Sequence, residues 1–190
     1  MNKADEYKVL IRERLSDYRY FHSMCVAKSA MILAEKYGGN VEKAYLAGLL
    51  HDIMKETDNE IQLQTAEKIG IILSPLERGN IKLYHAISGY AYCKSELNIA
   101  DDELLNSIRY HTTARADMTL LDKIIYIADF ISDDRDYDDV DIMREKAKIS
   151  LECAMEYAMK YTIVDLVKKG QTIHPDTISA YNQIIINNKK

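Results

Sequence analysis

Six residues of this chain, in an ordered series, have the side-chain types that a metal site handling phosphate esters needs: His22, the adjacent pair His51-Asp52, His85, His111 and Asp129. Neutral imidazoles and ionised carboxylates together suit borderline divalent metals. Such an ion polarises a phosphoryl oxygen and lowers the pKa of water. Four of the chain's five histidines fall in this series. If the side chains converge, the chain is a metallohydrolase; if they stay apart, it is an ordinary helical protein. Each residue also has a plainer reading. His51 or His111 can bind the last carbonyls of a helix, Asp129 can cap a neighbouring helix or pair with Arg135, and His22 can be a satisfied or surface histidine. The joint occurrence carries the metal reading. Lys55 follows Asp52 by three residues, which sets a cation beside a carboxylate or a bound phosphate. Thr112 and Thr113 offer hydroxyls to phosphate oxygens, and Ala86 and Gly89 let a backbone or ligand approach the helix of His85. Lys82 is a weaker phosphate contact. Both lysines also read as solvated side chains.

The elements that must position these residues read as helix after helix. Residues 4–15 form a short helix, and Ser16 caps a second that runs to about Tyr37 and stops at Gly38-Gly39. Asn40 caps a third, from Val41 to about Asp52, in which Ala47 and Gly48 present a small-residue surface for close packing. Thr57 with Glu60 has the capping-box pattern for a fourth, ending near Gly70, and Ser74-Pro75 with Glu77 resembles a short helical turn. Residues 82–97 and 101–111 supply the fifth and sixth, carrying His85 and His111. Thr119 opens a seventh with so little polar face that it belongs in the centre. Asp129 lies within it, where an ionised carboxylate is costly unless paired or metal-bound. After the loop DDRDYDD come a long segment from about 141 to 169 and a last helix from about 176 to 187. The apolar pieces 71–73 and 184–186 are the only strand candidates.

Composition narrows the function classes. At 190 residues and 47% hydrophobic, the chain suits one domain with a sizeable core, and 7 Gly with 2 Pro favour long helices over turns. A net charge of −5 argues against an extended nucleic acid or an anionic membrane as partner, but leaves room for a small polyanion such as a nucleotide. Cys25, Cys93 and Cys153 have no metal-type spacing and read as buried free thiols. The charged start MNKADEYKVLIRER is unlike a signal peptide, and no apolar run approaches a membrane span, so a cytoplasmic location is expected.

The order His22…His51-Asp52…Asp129 resembles the signature of the HD-domain metal-dependent phosphohydrolases. The likeness is closer still to the YqeK-type subgroup. It is carried by AGLLHDIMK (47–55), YHAISGYAY (84–92), IRYHTTARADMTLLDKIIYIADFISDDRDYDDV (108–140) and IHPDTISAYN (173–182). The resemblance implies an all-α fold: a single-domain HD-type helical bundle with a metal site in its centre. Its core would span about residues 16–140, with the C-terminal helices of 141–190 packed on it. The implied activity is symmetrical hydrolysis of diadenosine tetraphosphate to two ADP, with iron as metal. Matched residue by residue, the metal ligands are His22, His51, Asp52 and Asp129, and His85, His111 and Arg135 line the nucleotide-phosphate pocket. The chain departs from the subgroup around Asp133-Asp134, near which a Pro or Gly usually stands, so the placement of Arg135 is the point to check.

The chemistry follows from that set. Nitrogen and oxygen ligands suit iron, manganese or zinc rather than an all-oxygen magnesium cage, and one ion is the base expectation, with a second held partly by His85 and His111. Asp52 or Asp129 would take the proton of the attacking water. His85, His111 and Arg135 would offset charge on the phosphoryl oxygens, with Lys55 and Lys82 as further substrate contacts alongside the imidazole of His22 and the carboxylate of Asp129. Asp52, His85 and His111 are thus the catalytic candidates. Two alternatives stand beside this reading: an HD phosphohydrolase acting on another nucleotide, a nucleoside monophosphate or an alarmone, and a non-catalytic nucleotide sensor or helical interaction protein. The Tyr-rich segment 151–161 reads first as core and second as a homodimer face.

Overall fold

In the computed structural model, which describes residues 2–188, most helix starts fall where a polar side chain accepts from a free backbone N–H. Asn2 caps α1 (Lys3–Arg14) and Ser16 caps α2 (Asp17–Tyr37), which stops at Gly38 in the left-handed region, φ 73°. Asn40 caps α3 (Val41–Leu50). The next cap is Asp58 rather than Thr57: its side chain accepts from Glu60 N and α4 runs Asn59–Lys68. Asp is as good a cap as Thr, so two adjacent candidates differed by one residue. Ser74 and Glu77 form a reciprocal capping box at α5 (Pro75–Arg78). The expected helix over 82–97 divides into a 3₁₀ turn at Ile81–Leu83 and α6 (Tyr84–Ser95). Then come α7 (Asp102–Arg109) and α8 (Leu120–Ile131), the latter opened by a capping box of Thr119 and Asp122.

The segment expected as one helix over 141–169 is two, α9 (Val140–Ile149) and α10 (Leu151–Lys168). Ser150 breaks it. Its backbone is extended (φ −160°, ψ 160°) and its side chain caps Cys153 N. The last helix, α11 (Pro175–Asn187), starts behind His174, whose side chain accepts from Asp176 N. Neither strand candidate is a strand: 71–73 is irregular and 184–186 lies inside α11.

The central element is α8, in contact with α2, α3, α7, α9 and α10. Leu121, Ile124, Ile125, Tyr126, Ile127 and Ala128 are all buried, as its nearly all-apolar composition requires. Two of these neighbours, α2 and α3, meet at Gly48. A Cβ there would stand 2.5 Å from Ala27 Cα and 2.9 Å from Ala27 N, so only glycine lets the two backbones approach this closely. That approach sets His22 on α2 beside His51 at the end of α3. A smaller cluster of Ala66, Leu73, Tyr84 and Ile87 holds α6 against α4.

The C-terminal helices pack on this frame: α9 and α10 on α8, and α11 on α10. Thr177 Oγ1 also donates to the Thr113 carbonyl at 2.7 Å. On α10 the core face is Leu151, Ala154, Met155, Ala158 and Met159, while Tyr157 and Tyr161 are only half-buried at its flank. Cys25 and Cys93 are buried free thiols; Cys153 is half-buried rather than buried. Among the described residues no helix is long and apolar enough to cross a membrane.

Candidate metal centre

Five separate elements deliver the site. His22 comes from the second turn of α2, His51-Asp52 from the turn that ends α3, and His85 from the first turn of α6. His111 lies two residues past α7, and Asp129 in the last turn of α8. The imidazoles form a row: His22 to His51 at 5.3 Å between ring centroids, His51 to His111 at 5.1 Å, and His111 to His85 at 5.1 Å. His22 Nε2 is 3.0 Å from Asp129 Oδ1, and His85 Nε2 and His111 Nε2 are 3.2 and 3.6 Å from Asp52 Oδ1.

Backbone and loop contacts fix which nitrogen faces inward in three of the four rings. His51 Nδ1 lies 2.7 Å from the Gly48 carbonyl, and His111 Nδ1 lies 2.7 Å from the Ile108 carbonyl. Carbonyls only accept, so each Nδ1 carries the proton and each Nε2 turns a lone pair to the centre. Capping the helix through Nδ1 therefore leaves Nε2 of both histidines turned to the cluster, so the two readings do not exclude each other. His22 Nδ1 is held by Asp134 Oδ2 at 2.7 Å, which leaves its Nε2 for the cluster in the same way.

The electrostatics favour a bound cation. Burial drives the His51 pKa down to about 4, and the same cause pushes His85 well below the ordinary histidine value, so both rings are neutral at pH 7. Burial opposes ionisation of Asp52 and Asp129, but neighbouring histidines, with Lys55 at the first and Arg135 at the second, outweigh it and hold both below the usual carboxylate range. Burial favours neutral His22, yet the carboxylates of Asp129 and Asp134 overcome it and raise its pKa. His51 Nε2 and Asp52 Oδ1 are buried with no hydrogen-bond partner, an expensive state for polar atoms. Lone pairs thus face lone pairs. Two triads of ligand atoms lie within 4.8 Å of one another: His22, His51 and Asp129, and His51, Asp52 and His111. This nitrogen–oxygen donor set fits a divalent metal.

The site opens on one side. The side chain of Asp129 keeps 21% of its surface exposed, against 1% for His22 and 0% for His51. Arg135 stands at that opening. It donates through Nε to the Asp129 carbonyl at 2.8 Å and through its terminal nitrogen to the Asp129 carboxylate. Lys55 Nζ reaches His85 Nε2 at 3.0 Å and Asp52 Oδ1 at 3.7 Å.

All six residues of the ordered series converge, and Lys55 and Arg135 join them. Lys82 does not. It is exposed on the 3₁₀ turn ahead of α6, and among the described residues no hydrogen bond or ion pair ties it to the cluster. His111 is closer to the ligand set than expected, since it completes a triad with His51 and Asp52. Two contributors went unread in the sequence. Asp134 orients His22, and Arg19 approaches Asp52 Oδ2 at 3.4 Å. Both are paired across long sequence separations that no local pattern reveals.

The profile of the HD domain matches residues 19–133, which takes in His22, His51-Asp52, His85, His111 and Asp129. This chain belongs to the HD-domain family. As a member of that family it is 39% identical over 181 residues to a protein of Halalkalibacterium halodurans named bis(5'-nucleosyl)-tetraphosphatase, symmetrical. That alignment covers 95% of this chain and 96% of the relative. It is 35% identical to a protein of the same name from Bacillus subtilis, over 97% of this chain and 98% of that one. Among solved structures, a crystal structure of an HD superfamily hydrolase from Clostridium acetobutylicum, described as involved in NAD metabolism, superposes with a TM-score of 0.94. It is 35% identical, and the match covers all of both chains.

Proposed function

We propose that this HD-domain chain hydrolyses diadenosine tetraphosphate symmetrically, releasing two ADP. One observation carries the reading: five residues of the ordered series form two donor triads that share His51, with His85 against Asp52, in a chain similar over nearly its full length to symmetrical tetraphosphatases. The metal ligands are His22, His51, Asp52 and Asp129, with His111 completing the second triad. The cofactor is iron, in line with the mixed nitrogen–oxygen donors. His51 turns one lone pair inward and belongs to both triads, so the two triads serve one ion, and a second would draw on His85 and His111 instead. A divalent ion there would lower the pKa of water in the site toward about 7 and supply the nucleophile at neutral pH.

The protein's own residues do the rest. Water adds to one of the two middle phosphorus atoms, in line with the bridging oxygen between them, and that oxygen departs on the second ADP. Asp52 Oδ1, lacking a hydrogen-bond partner, takes the water proton. Lys55, His85 and Arg135 surround the phosphates with donors and positive charge aimed where negative charge develops. Arg135 is tethered to the Asp129 backbone, so its guanidinium can exchange the carboxylate for a phosphate oxygen without losing its place. The working unit is the HD bundle of about residues 16–140 with the C-terminal helices as its outer layer, and its place is the cytoplasm.

The test is product analysis of the purified, metal-loaded protein. ADP alone, two per substrate consumed, is the expected result. AMP plus ATP would overturn symmetrical cleavage, and no turnover of any member of a nucleotide panel would sink the enzyme reading.

A further inference from the structure

Behind the open side of the centre lies a pocket of about 270 Å³ lined by Asp129, Phe130, Arg135, Tyr137 and Tyr161. One end is the metal-ligand carboxylate and its arginine; the other end is aromatic. The rings of Tyr137 and Tyr161 sit 5.4 Å apart, inclined at 42°. Tyr137 Oη donates to the Phe130 carbonyl at 3.0 Å, which fixes its ring and takes its hydroxyl out of use. Arg135 is likewise committed to Asp129. The pocket therefore offers aromatic faces and few free hydrogen-bonding groups.

We infer that this pocket holds one nucleobase of the substrate, stacked on the Tyr137–Tyr161 pair, while the phosphates of the same nucleotide lie at Asp129 and Arg135. The inference rests on the nucleotide-hydrolase reading. Its own warrant is continuity, since Asp129 belongs both to the first ligand triad and to the pocket wall. A flat purine suits such a surface because every base has a π face. Stacking of this kind tolerates a change of base, so guanine fits as adenine does. Tyr161 comes from α10, outside the residues 19–133 that the family profile matches. The outer helical layer thus supplies a binding surface as well as packing.

The test compares two ligands by calorimetry on the metal-loaded protein: ADP, which has a base, and inorganic diphosphate, which has none. Tyr161→Leu keeps apolar volume and removes the ring. It is expected to weaken ADP and GDP by on the order of 10- to 100-fold, the size of one lost base stack, and to leave diphosphate affinity as it was. Tyr161→Phe is expected to restore ADP affinity. Equal weakening of ADP and diphosphate would show a ring that only props the site, and unchanged ADP affinity would put the base elsewhere; either overturns the inference. A parent protein that binds ADP through this ring but does not cleave diadenosine tetraphosphate would sink the substrate reading alone. A parent that binds neither ligand sinks both.

Discussion

Asp129→Asn is expected to abolish metal binding at the first triad and to lower hydrolysis by about 10³-fold or more, in a protein that still folds. The substitution keeps the shape of the side chain and removes its charge. Asp129 Oδ1 stands 3.0 Å from His22 Nε2 and 4.0 Å from His51 Nε2, so it is the anionic member of that triad. An ion polarising a phosphoryl oxygen is worth several kcal/mol of barrier, and about 4 kcal/mol is a thousandfold in rate. The fold survives because the loop after α8 is also held by main-chain contacts. Arg135 donates to the Asp129 carbonyl, and Arg144 donates to the carbonyls of Ser132 and Arg135. Elemental analysis, turnover and a thermal melt on the same preparation read all three parts. Parent-level metal with turnover within tenfold of the parent would contradict the assignment.

Asp134→Ala is the second large effect. Asp134 Oδ2 holds His22 Nδ1 at 2.7 Å, which keeps the imidazole in the tautomer that turns Nε2 inward. A carboxylate behind a ligating histidine orients the ring and raises its basicity, and its loss typically costs about 10- to 100-fold in metal affinity. Competition against a graded series of chelators is expected to show that loss for Asp134→Ala. Asp134→Asn is expected to fall between, since its amide oxygen still accepts from Nδ1 without the charge. An Asp134→Ala affinity equal to the parent's would show that the ring is positioned by packing alone. This carboxylate sits near the place where the subgroup resemblance leads one to look for Pro or Gly. The departure thus supports His22 and leaves Arg135 anchored on Asp129.

What was legible in the sequence is what short-range chemistry decides. The caps at Ser16, Asn40, Ser74 and Thr119 were readable because each acts within three residues of itself. The central place of α8 was readable because a helix with almost no polar face has nowhere else to go. The break at Ser150 was hidden, because helical periodicity continues on both sides and a serine passes as one more polar position. The hold of Asp134 on His22 spans 112 residues and leaves no local trace. Lys82 reads as a weaker phosphate contact, but the 3₁₀ turn carries it to the surface. His51 reads as a helix cap or a ligand and His111 as a helix cap or a phosphate contact, choices that vanish once the two nitrogens of one ring are counted separately.

The central claim is that the histidine–aspartate cluster is a metal centre on which hydrolysis depends. The most direct measurement follows turnover of diadenosine tetraphosphate before chelation, after it, and after return of ferrous, manganous or zinc ion, with metal content determined at each stage. At least one transition-metal ion per chain is expected at the start, with loss of ADP release on its removal and recovery when an ion is returned. Undiminished ADP release from protein shown to carry no metal would contradict the claim.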